Sequence, residues 1–505
     1  MTSINTKASV LAVTVETTEG TPVPPSSGSD FLAQQDDVSF EPSFEQLENA
    51  ELKNSLGKAK TLTGTESPTA TFSHYLRHSG VEGTAPAYGP TILKALFGSE
   101  TTDADEETTA AGSTAEVVVL SANGSHHPRG SALLLKNGAG YEIRPVHSQS
   151  GENLTLGFDT TNVMGAGVDV GKAVTYSPSN TISDFQTLTL WEYLGNEGAV
   201  EMIAGSRPIS MDITAEAGQL INASYNFEGI EFYFNPITIT SSNKYVDFND
   251  GGVQVAEVAT GTYKDPHQLA DALATAMDAE STDTITCTYD DSTGIYNTAS
   301  DGLSFSILWK TGVHGADNAD DNIGPTIGYS DAADDTGATS YDADSAMDWS
   351  ASYTPSYDSA DPIIAKSMQC FIGEHDDNVC FDPSSVSISF GIPKADIMSV
   401  CAESGKSGSI PSEREIEITA TALLSKYDAD RFRRMRENST TRFALMGGVK
   451  SGGNWTAGTN FCIYCPTSTV TSMNIADADG LVEVTITLMS YVDDSGNGEF
   501  YISFV

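Results

Sequence analysis

The sequence predicts a mainly β protein that has few helices and is built from more than one module. Apolar and polar residues alternate with period two along much of the chain, and one hairpin-and-loop pattern occurs twice. β-Branched residues that alternate with polar ones suit the two faces of a half-buried strand. Clear cases are Ala115–Leu120, Val386–Phe390, Glu415–Thr419 and Val482–Leu488. At 505 residues, the chain is long enough for several folded units.

Helical periodicity is confined to three short segments. His267–Ala279 follows a Lys-Asp-Pro entry and repeats apolar residues at Leu269, Leu273 and Met277, the spacing of one helix face. The other two candidates are Pro90–Phe97 and Lys426–Asn438. We therefore expect a predominantly β chain with a few helices.

An internal duplication organises the chain. Ser210–Leu220 and Ser472–Leu481 share the order Ser-Met-(Asp/Asn)-Ile followed by an acidic glycine turn, so each predicts a β-hairpin. A weaker match lies upstream, where a short alternating strand, a Gly/Lys loop and a second strand follow one another in both copies. These segments are Val38–Phe40, Asn54–Lys58 and Thr69–Leu76 in the first copy, and Val386–Phe390, Glu403–Lys406 and Ile416–Leu424 in the second.

Two segments without counterparts divide the chain further. We predict a first module at 1–98 plus 181–234, an inserted small β module at 99–180, an inserted α+β surface module at 235–361, and a second module at 362–505. The α+β insert is defined by strands on both sides of the helix His267–Ala279. It ends in Gly315–Tyr341, which is dense in Asp, Gly and Ala and predicts an acidic loop. Surface loops tolerate such insertions well.

The charge of the chain is strongly one-sided. It has 69 acidic and 25 basic residues, a formal net charge of −44. This field repels nucleic-acid phosphates and anionic membranes, which excludes tight nucleic-acid binding and makes membrane binding unexpected. Passage of DNA without adhesion is compatible with it. The surface acidity of proteins from salt-loving organisms is an equally good explanation, and the two are not exclusive.

The N-terminal segment Met1–Glu19 alternates Ser, Thr and Val and lacks a charged start before an apolar run, so we expect no secretory signal. No apolar run in the sequence has the length of a membrane-spanning helix. The six cysteines are too sparse for a disulfide framework. We expect synthesis inside a cell and later residence in a particle.

Two motifs invite a metal or redox interpretation. His126-His127 is a candidate metal pair, but it lies in a Gly/Ser/Pro loop, and the neighbouring sequence offers no carboxylate or cysteine, so we expect no metal there. Cys462-Ile-Tyr-Cys465 has the spacing of redox and zinc motifs. It falls within a predicted strand, where positions three apart face opposite sides, so ordinary packing thiols are favoured.

Catalytic and cation-binding constellations are not evident in the sequence. The acidic runs Asp317–Asp321 and Asp331–Asp335 lack the regular spacing of calcium-binding loops, so solvated charge is the favoured interpretation, with incidental cation binding left open. No phosphate-binding glycine motif and no Ser/His/Asp arrangement stands in a usable context. We assign no catalytic, cofactor-binding or metal-binding residue and expect a protein that is not an enzyme.

The order of the motifs resembles that of tail tube proteins of long-tailed, siphovirus-like phages and viruses, in a duplicated-module form. The C-terminal copy, Val386–Val505, is similar to one tube module. The first copy is similar to the opening half of such a module over Asp37–Leu76, Ala85–Pro86 and Leu93–Gly98, and to its closing half over Leu188–Tyr193, Met202–Arg207 and the hairpin that runs to Gly229.

This resemblance implies β-sandwich or half-barrel modules, each flanked by a short helix, whose strands join those of neighbouring modules into one closed barrel. It implies a structural virion protein, assembled in the host cytoplasm into stacked rings around a channel for genome passage. The loops Glu41–Gly64 and Gly391–Ile410 would reach the next ring or neighbour. Single-module members form rings of six, so two modules per chain favour a ring of three chains over a ring of six. Expected partners are further copies of the chain, a tape-measure protein and transiting DNA in the lumen, and tail-end proteins.

Three other interpretations stay open at this stage. The chain could be another virion component, such as a baseplate hub or a contractile sheath protein. A secreted β-rich protein that binds glycans or cells has a similar composition, but it predicts a signal or anchor segment. A polysaccharide-degrading enzyme needs paired carboxylates in a groove. Acidic residues are abundant here, and no pair is singled out by the sequence.

Overall fold

The computed structural model describes residues 6–35, 38–51, 57–103, 105–195, 198–302, 304–377, 380–424, 429–478, 480–494 and 496–505. The mainly β fold predicted from the sequence is confirmed. Parts of several predicted segments lie outside the described residues: 1–5 of the N-terminal segment, 37 and 52–56 of the first resembling segment, 52–56 of the loop Glu41–Gly64, 54–56 of the first Gly/Lys loop, 426–428 of the third helix and 479 of the second hairpin turn.

The described part of the N-terminal region contains six strands, two 3₁₀ turns at Thr6–Ala8 and Gly28–Asp30, and one longer helical segment. The strands are β1 Val10–Val15, β2 Phe31–Leu32, β3 Ser39–Glu41, β4 Phe44–Leu47, β5 Leu62–Glu66 and β6 Thr69–Tyr75. The helical segment is a π-helical turn at Gly89–Leu93 that continues as α1 Lys94–Phe97, which confirms the predicted helix at this place.

The next two regions are strands joined by short turns. Residues 98–180 form β7 Gly98–Thr102, β8 Glu107–Thr108, β9 Val117–Val119, β10 Ala132–Asn137, β11 Gly140–Ser150, β12 Asn153–Leu156, β13 Asp169–Val170 and β14 Val174–Pro178. Residues 181–234 form β15 Leu188–Leu194, β16 Ala199–Glu216, β17 Asn222–Glu228 and β18 Glu231–Phe234.

Residues 235–361 form β19 Ile237–Ile239, β20 Tyr245–Asn249, β21 Val253–Glu257, β22 Gly261–Tyr263, α2 Pro266–Glu280, β23 Ile285–Asp290, β24 Ile295–Ser300, β25 Phe305–Ile307, β26 Asp335–Ala338 and β27 Ser340–Asp342. Residues 362–505 form β28 Gln369–Gly373, β29 Ser385–Gly391, β30 Lys394–Met398, β31 Lys406–Pro411, β32 Glu415–Leu423, α3 Ala429–Glu437, β33 Thr441–Ser451, β34 Asn454–Ala478, β35 Leu481–Ser490 and β36 Tyr501–Phe504.

The chain divides into two compact units. The smaller comprises Met1–Leu11, Leu190–Ile203 and Glu231–Thr354, and the larger comprises Ala12–Thr189, Ala204–Ile230 and Pro355–Val505. In the smaller unit, α2 confirms the predicted helix: the Asp265 side chain accepts a hydrogen bond from the Gln268 backbone N–H at 2.8 Å and caps its N-terminus. Leu269, Leu273 and Met277 are buried on one face, as their spacing predicts.

The acidic segment Gly315–Tyr341 of this unit is only in part the loop that its composition predicts: 315–334 consists of turns with a 3₁₀ turn at Gly324–Ile327, and the rest forms strands. Its end forms β26, which pairs with β25, and its last residues begin β27, which pairs with β24. The hydroxyl of Tyr341 donates to the Phe305 carbonyl at 2.7 Å, and Ile323 and Ile327 are fully buried. These few apolar and aromatic anchors outweigh the turn-forming composition around them.

The larger unit is organised around one antiparallel sheet of eight strands, which we call the main sheet. Its strands follow the order β3, β6, β17, the end of β16 (207–216), β29, β32, β35 and the end of β34 (468–478). The first four strands come from the first copy of the duplicated segment, and the last four come from the second.

Both halves of the main sheet repeat one topology. The order β3-β6-β17-β16 recurs as β29-β32-β35-β34, and a two-stranded hairpin, β4–β5 or β30–β31, connects the first two strands of each half. A β-bulge interrupts the pairing just before the shared Ser-Met, between Pro208 and Ser210 in one half and between Val470 and Ser472 in the other. The turns that follow contain Gly218 and Gly480, both with positive φ.

A second layer packs against the apolar face of the main sheet. Its strands pair in the order β28, β33, the first part of β34, β36, β14 and β7. The helical segment contacts both layers: Phe97 meets Phe390 of β29 at 4.7 Å and stacks on Phe500 at 5.3 Å, while Tyr88 meets His74 of β6 at 4.4 Å. The larger unit is therefore a β-sandwich with one helical segment in its core.

The insert at 99–180 contributes to two sheets. Its first and last strands, β7 and β14, pair with each other in the second layer. The residues between them form a separate six-stranded sheet in the order β8-β13-β10-β11-β12-β9, with its own core of Val118, Leu133, Leu135, Val146, Leu154, Leu156, Met164 and Val170. Among the described residues, no helix is both long and apolar enough to cross a membrane.

Candidate functional site

The solvent-facing side of the main sheet is a continuous polar surface, which we call the polar face. Alternation places one set of residues inward on every strand and the opposite set here. On β16, Met211 and Ile213 are 1% exposed, whereas Asp212, Thr214 and Glu216 lie on the polar face. Across the strand pairings, this face carries Thr69, Thr71, Ser224, Asn226, Ser385, Ser387, Ser389, Glu417, Thr419, Thr421, Thr485 and Thr487.

The polar face carries an excess of negative charge, because Arg207, the basic residue at the start of the β16 stretch, is buried and paired with Glu19. The described stretches 39–41, 69–75, 210–216, 222–228, 385–391, 415–423, 472–478 and 481–490 contain no lysine or arginine. Their acidic residues are Glu41, Asp212, Glu216, Glu228, Glu415, Glu417, Asp477 and Glu483. A surface of hydroxyl, amide and carboxylate groups offers phosphates neither a cation nor an apolar patch, and its charge repels them.

One end strand of the main sheet has an exposed edge. Among the described residues, 469–478 of β34 pair on one side only, with β35. In the first copy, the equivalent stretch of β16 pairs on one side with β17 and on the other with β29. The difference appears in the matched side chains: Ile213 is 1% exposed, whereas Ile475 is 61% exposed.

The two connecting hairpins present apolar side chains to solvent. The expected loops Glu41–Gly64 and Gly391–Ile410 contain the hairpins β4–β5 and β30–β31. Phe44, Leu47 and Leu62 of the first are about half exposed, as are Ile397, Met398 and Ile410 of the second, and Val400 is fully exposed. In the second hairpin, Lys394 and Lys406 both pair with Asp396, and Lys394 also lies 3.9 Å from the Glu228 carboxylate of β17, so both lysines contact carboxylates of the chain.

The cysteine pair within the predicted strand is buried in the second layer. Cys462 and Cys465 are both 0% exposed in β34, and burial raises the pKa of each thiol well above its usual range. A buried neutral thiol neither attacks a disulfide nor ligates a metal readily. The structure supports the packing role that was favoured from the sequence.

The acidic runs of the smaller unit are used for local hydrogen bonding. Asp334 accepts from the backbone N–H groups of Lys310 and Thr311 at 2.8 and 3.0 Å, and Asp335 accepts from the Trp309 indole N–H at 3.0 Å. In the other run, Asp321 lies 2.7 Å from His314. These carboxylates shape turns and do not converge on a common point.

A cleft of about 400 Å³ in the larger unit is lined by Ser179, Arg414 and Glu499 among others. Arg414, its only guanidinium, is bound to the Glu499 carboxylate at 2.8 Å and to the Ser179 carbonyl at 2.6 Å. The cation of this cleft is therefore already neutralised. We assign no catalytic residue there.

The histidine pair differs from expectation. The premise that no carboxylate lies near His126-His127 is wrong, because Asp103, Asp105 and Glu107 surround the two rings. The sequence hides this arrangement, since the carboxylates belong to the β7–β8 connection and the histidines to a distant turn. The Glu/His contact is short: Glu107 Oε2 lies 2.6 Å from His127 Nε2.

Comparison of the sequence with models of known protein families gives no match, and comparison with curated proteins gives none either.

Proposed function

We propose that this chain is a structural subunit of a virus tail tube, forming stacked rings whose joined β-strands line a channel for the genome. One observation carries the proposal. Within one chain, β16 at the end of the first repeat pairs with β29 at the start of the second over seven residues, from Ser210↔Gly391 to Glu216↔Ser385. The second repeat ends in an equivalent strand, β34, whose edge is exposed.

The in-chain junction is a template for a junction between chains. β34 corresponds to β16 in its bulge, its shared Ser-Met and its glycine turn, and β3 corresponds to β29 as the first strand of its repeat. We propose that residues 472–478 of one copy pair with β3 of the next copy. Ile475 would then be covered as Ile213 is. The unpaired backbone N–H and C=O groups of an exposed strand edge, a common cause of aggregation, would be hydrogen-bonded.

Repetition of this junction closes a ring. Each chain contributes two four-stranded repeats, so three chains contribute six equivalent repeats to one barrel. Closure removes every free edge of the sheet, which is the usual reason that barrels are stable. We therefore favour a ring of three chains with approximate sixfold symmetry. The alternative is six chains in each ring.

The polar face lines the lumen in this proposal, because the opposite face is buried against the second layer. Its carboxylates and hydroxyls keep DNA moving by repelling phosphates without offering cations that would hold them. The hairpins β4–β5 and β30–β31 occur once in each repeat, so a ring of three would present six of them. Their exposed apolar side chains suit contacts with the next ring.

Electron microscopy and native mass spectrometry of the purified chain test this function. Protein should be examined at low and at molar salt, since screening reduces repulsion between strongly acidic subunits. We expect tubes with an open lumen, and a dissociated ring with the mass of three chains. Closed single rings that never stack favour a hub, and a chain that stays monomeric at all concentrations contradicts the proposal.

A further inference from the structure

A buried cluster of carboxylates and imidazoles lies at one end of the six-stranded sheet. Asp103 and Glu107 flank the turn between β7 and β8, and the Asp103 backbone N–H donates to the Ala173 carbonyl at 2.9 Å. Glu107 is held by its pairing with Val170 of β13. His126 ends a 3₁₀ turn at Gly124–His126, and His127 follows it. Four side chains from two segments therefore lie close together, and backbone hydrogen bonds hold both segments in place.

The ring of His126 faces three carboxylates at nearly equal distance. Its Nδ1 lies 3.3 Å from Glu107 Oε1, 3.5 Å from Asp105 Oδ2 and 3.6 Å from Asp103 Oδ1. None of these contacts satisfies hydrogen-bond geometry, and Nδ1 has no hydrogen-bond partner. Ligand atoms about 2.0–2.2 Å from a tetrahedral Zn²⁺ ion lie about 3.3–3.6 Å from one another. The three distances from Nδ1 therefore match the edges that meet at one corner of a metal-centred tetrahedron.

The two inner carboxylates are buried without adequate compensation. The side chains of Asp103 and Glu107 are each 2% exposed, and Asp103 Oδ2 and Glu107 Oε1 accept no hydrogen bond. Among the described residues, the ion pairs of these two carboxylates are with the two histidines. Uncompensated buried carboxylates are costly.

We propose that Asp103, Glu107 and His126 form a binding site for one divalent transition-metal ion, with Zn²⁺ as the best match. One ligand atom from each of the three lies within 4.8 Å of the others. Two carboxylates and one imidazole suit Zn²⁺ better than Ca²⁺ or Mg²⁺, which prefer all-oxygen sets with more ligands. Asp105 and His126, which are 58% and 39% exposed, mark the side from which the ion enters.

His127 is assigned as a positioning residue. Its Nε2 donates to Glu107 Oε2 at 2.6 Å, which orients that carboxylate, and lies 3.4 Å from Asp103 Oδ2. A hydrogen bond of this kind orients a ligand and tunes its affinity. The bound ion would cross-link the β7–β8 turn and the turn before β10, and so stabilise the inserted sheet. This assignment does not depend on the tube function.

The test uses the full chain with Cys380→Ser and Cys401→Ser, which removes the two exposed thiols as competing ligands. After treatment with a chelator, calorimetric titration with ZnCl₂ should show one strong site per chain. CaCl₂ and MgCl₂ should bind this site at least about 100-fold more weakly. Co²⁺ should give visible bands of a nitrogen–oxygen site without a thiolate charge-transfer band, a readout that needs no change to the ligands.

Variants then assign the ligands. His126→Ala and Glu107→Gln should abolish the strong site, and His127→Gln should weaken it by about 10–100-fold. The matched control is His267→Ala, which breaks an exposed His–carboxylate pair with Asp291 at 3.1 Å and should leave the titration unchanged. Circular dichroism verifies the fold of each variant. The assignment is overturned by absent Zn²⁺ binding in the stripped protein, by Ca²⁺ binding that equals that of Zn²⁺, or by full affinity in folded His126→Ala.

Discussion

Replacement of Ile475 with lysine should prevent ring formation without harming the subunit itself. Ile475 is 61% exposed in the single chain, whereas the matched Ile213, which lies on the inward face between β17 and β29, is 1% exposed. Surface substitutions at such exposed positions usually change stability by no more than about 0.5 kcal/mol. If β34 pairs with β3 of the next copy, however, residue 475 moves into a covered position, and its side chain contributes to every junction of the ring.

The expected magnitude follows from that burial. Burying an isoleucine side chain stabilises a junction by about 1.5–3 kcal/mol, and burying a lysine there would in addition cost the hydration of its ammonium group. Because about 1.4 kcal/mol corresponds to a factor of ten, each junction should weaken by roughly 10- to 150-fold. Closure of a ring requires the junction at every subunit, so the concentration needed for assembly should rise at least as steeply.

Analytical ultracentrifugation across a concentration series measures this shift, and thermal unfolding checks the subunit. Val163→Lys is the matched control, since Val163 is 59% exposed on the inserted β module and is not at a proposed junction. We expect Ile475→Lys to remain monomeric where wild type and Val163→Lys assemble. Equal assembly of all three proteins would refute the pairing of β34 with β3.

Two further predictions concern the core and the polar face. His74 is buried against Tyr88 and Tyr225, and burial lowers its pKa to about 4, so on acidification the unfolded chain takes up a proton at this residue before the folded chain does. The free energy of unfolding should therefore fall by about 3 kcal/mol as pH drops from 6.5 to 4. Chemical denaturation of His74→Gln over the same pH range should show a shallower fall. Asp212→Lys with Glu417→Lys should turn a non-adhesive face into one that retains double-stranded DNA in filter binding, with affinity that declines as salt rises; unchanged, undetectable binding would argue against this face as the lumen wall.

Local patterns in the sequence predict the strands and helices well. The alternation in Val386–Phe390 and Val482–Leu488 is realised in β29 and β35, because one face of each strand is buried and the other is polar. The helix α2 follows from its Asp265 cap and its apolar face. The shared Ser-Met motif marks equivalent positions in β16 and β34, including the same bulge.

Features that depend on distant residues could not be predicted in the same way. The metal-binding candidates come together because β8 pairs with β13 and the β7–β8 turn contacts residues 124–127. The sequence of neither segment indicates that the two are in contact. The acidic segment before β27 forms strands only because Phe305 and buried isoleucines anchor it. The exposed edge of β34 likewise becomes visible only when its partner strands are known.

Electron cryomicroscopy of the assembled particle would show the junction between chains itself. We expect a ring of three chains in which residues 472–478 of β34 form a hydrogen-bonded ladder with β3 of the neighbouring chain, while the face that carries Asp212 and Glu417 lines the lumen. A ring in which β34 stays solvent-exposed, or in which this face points away from the channel, would contradict it.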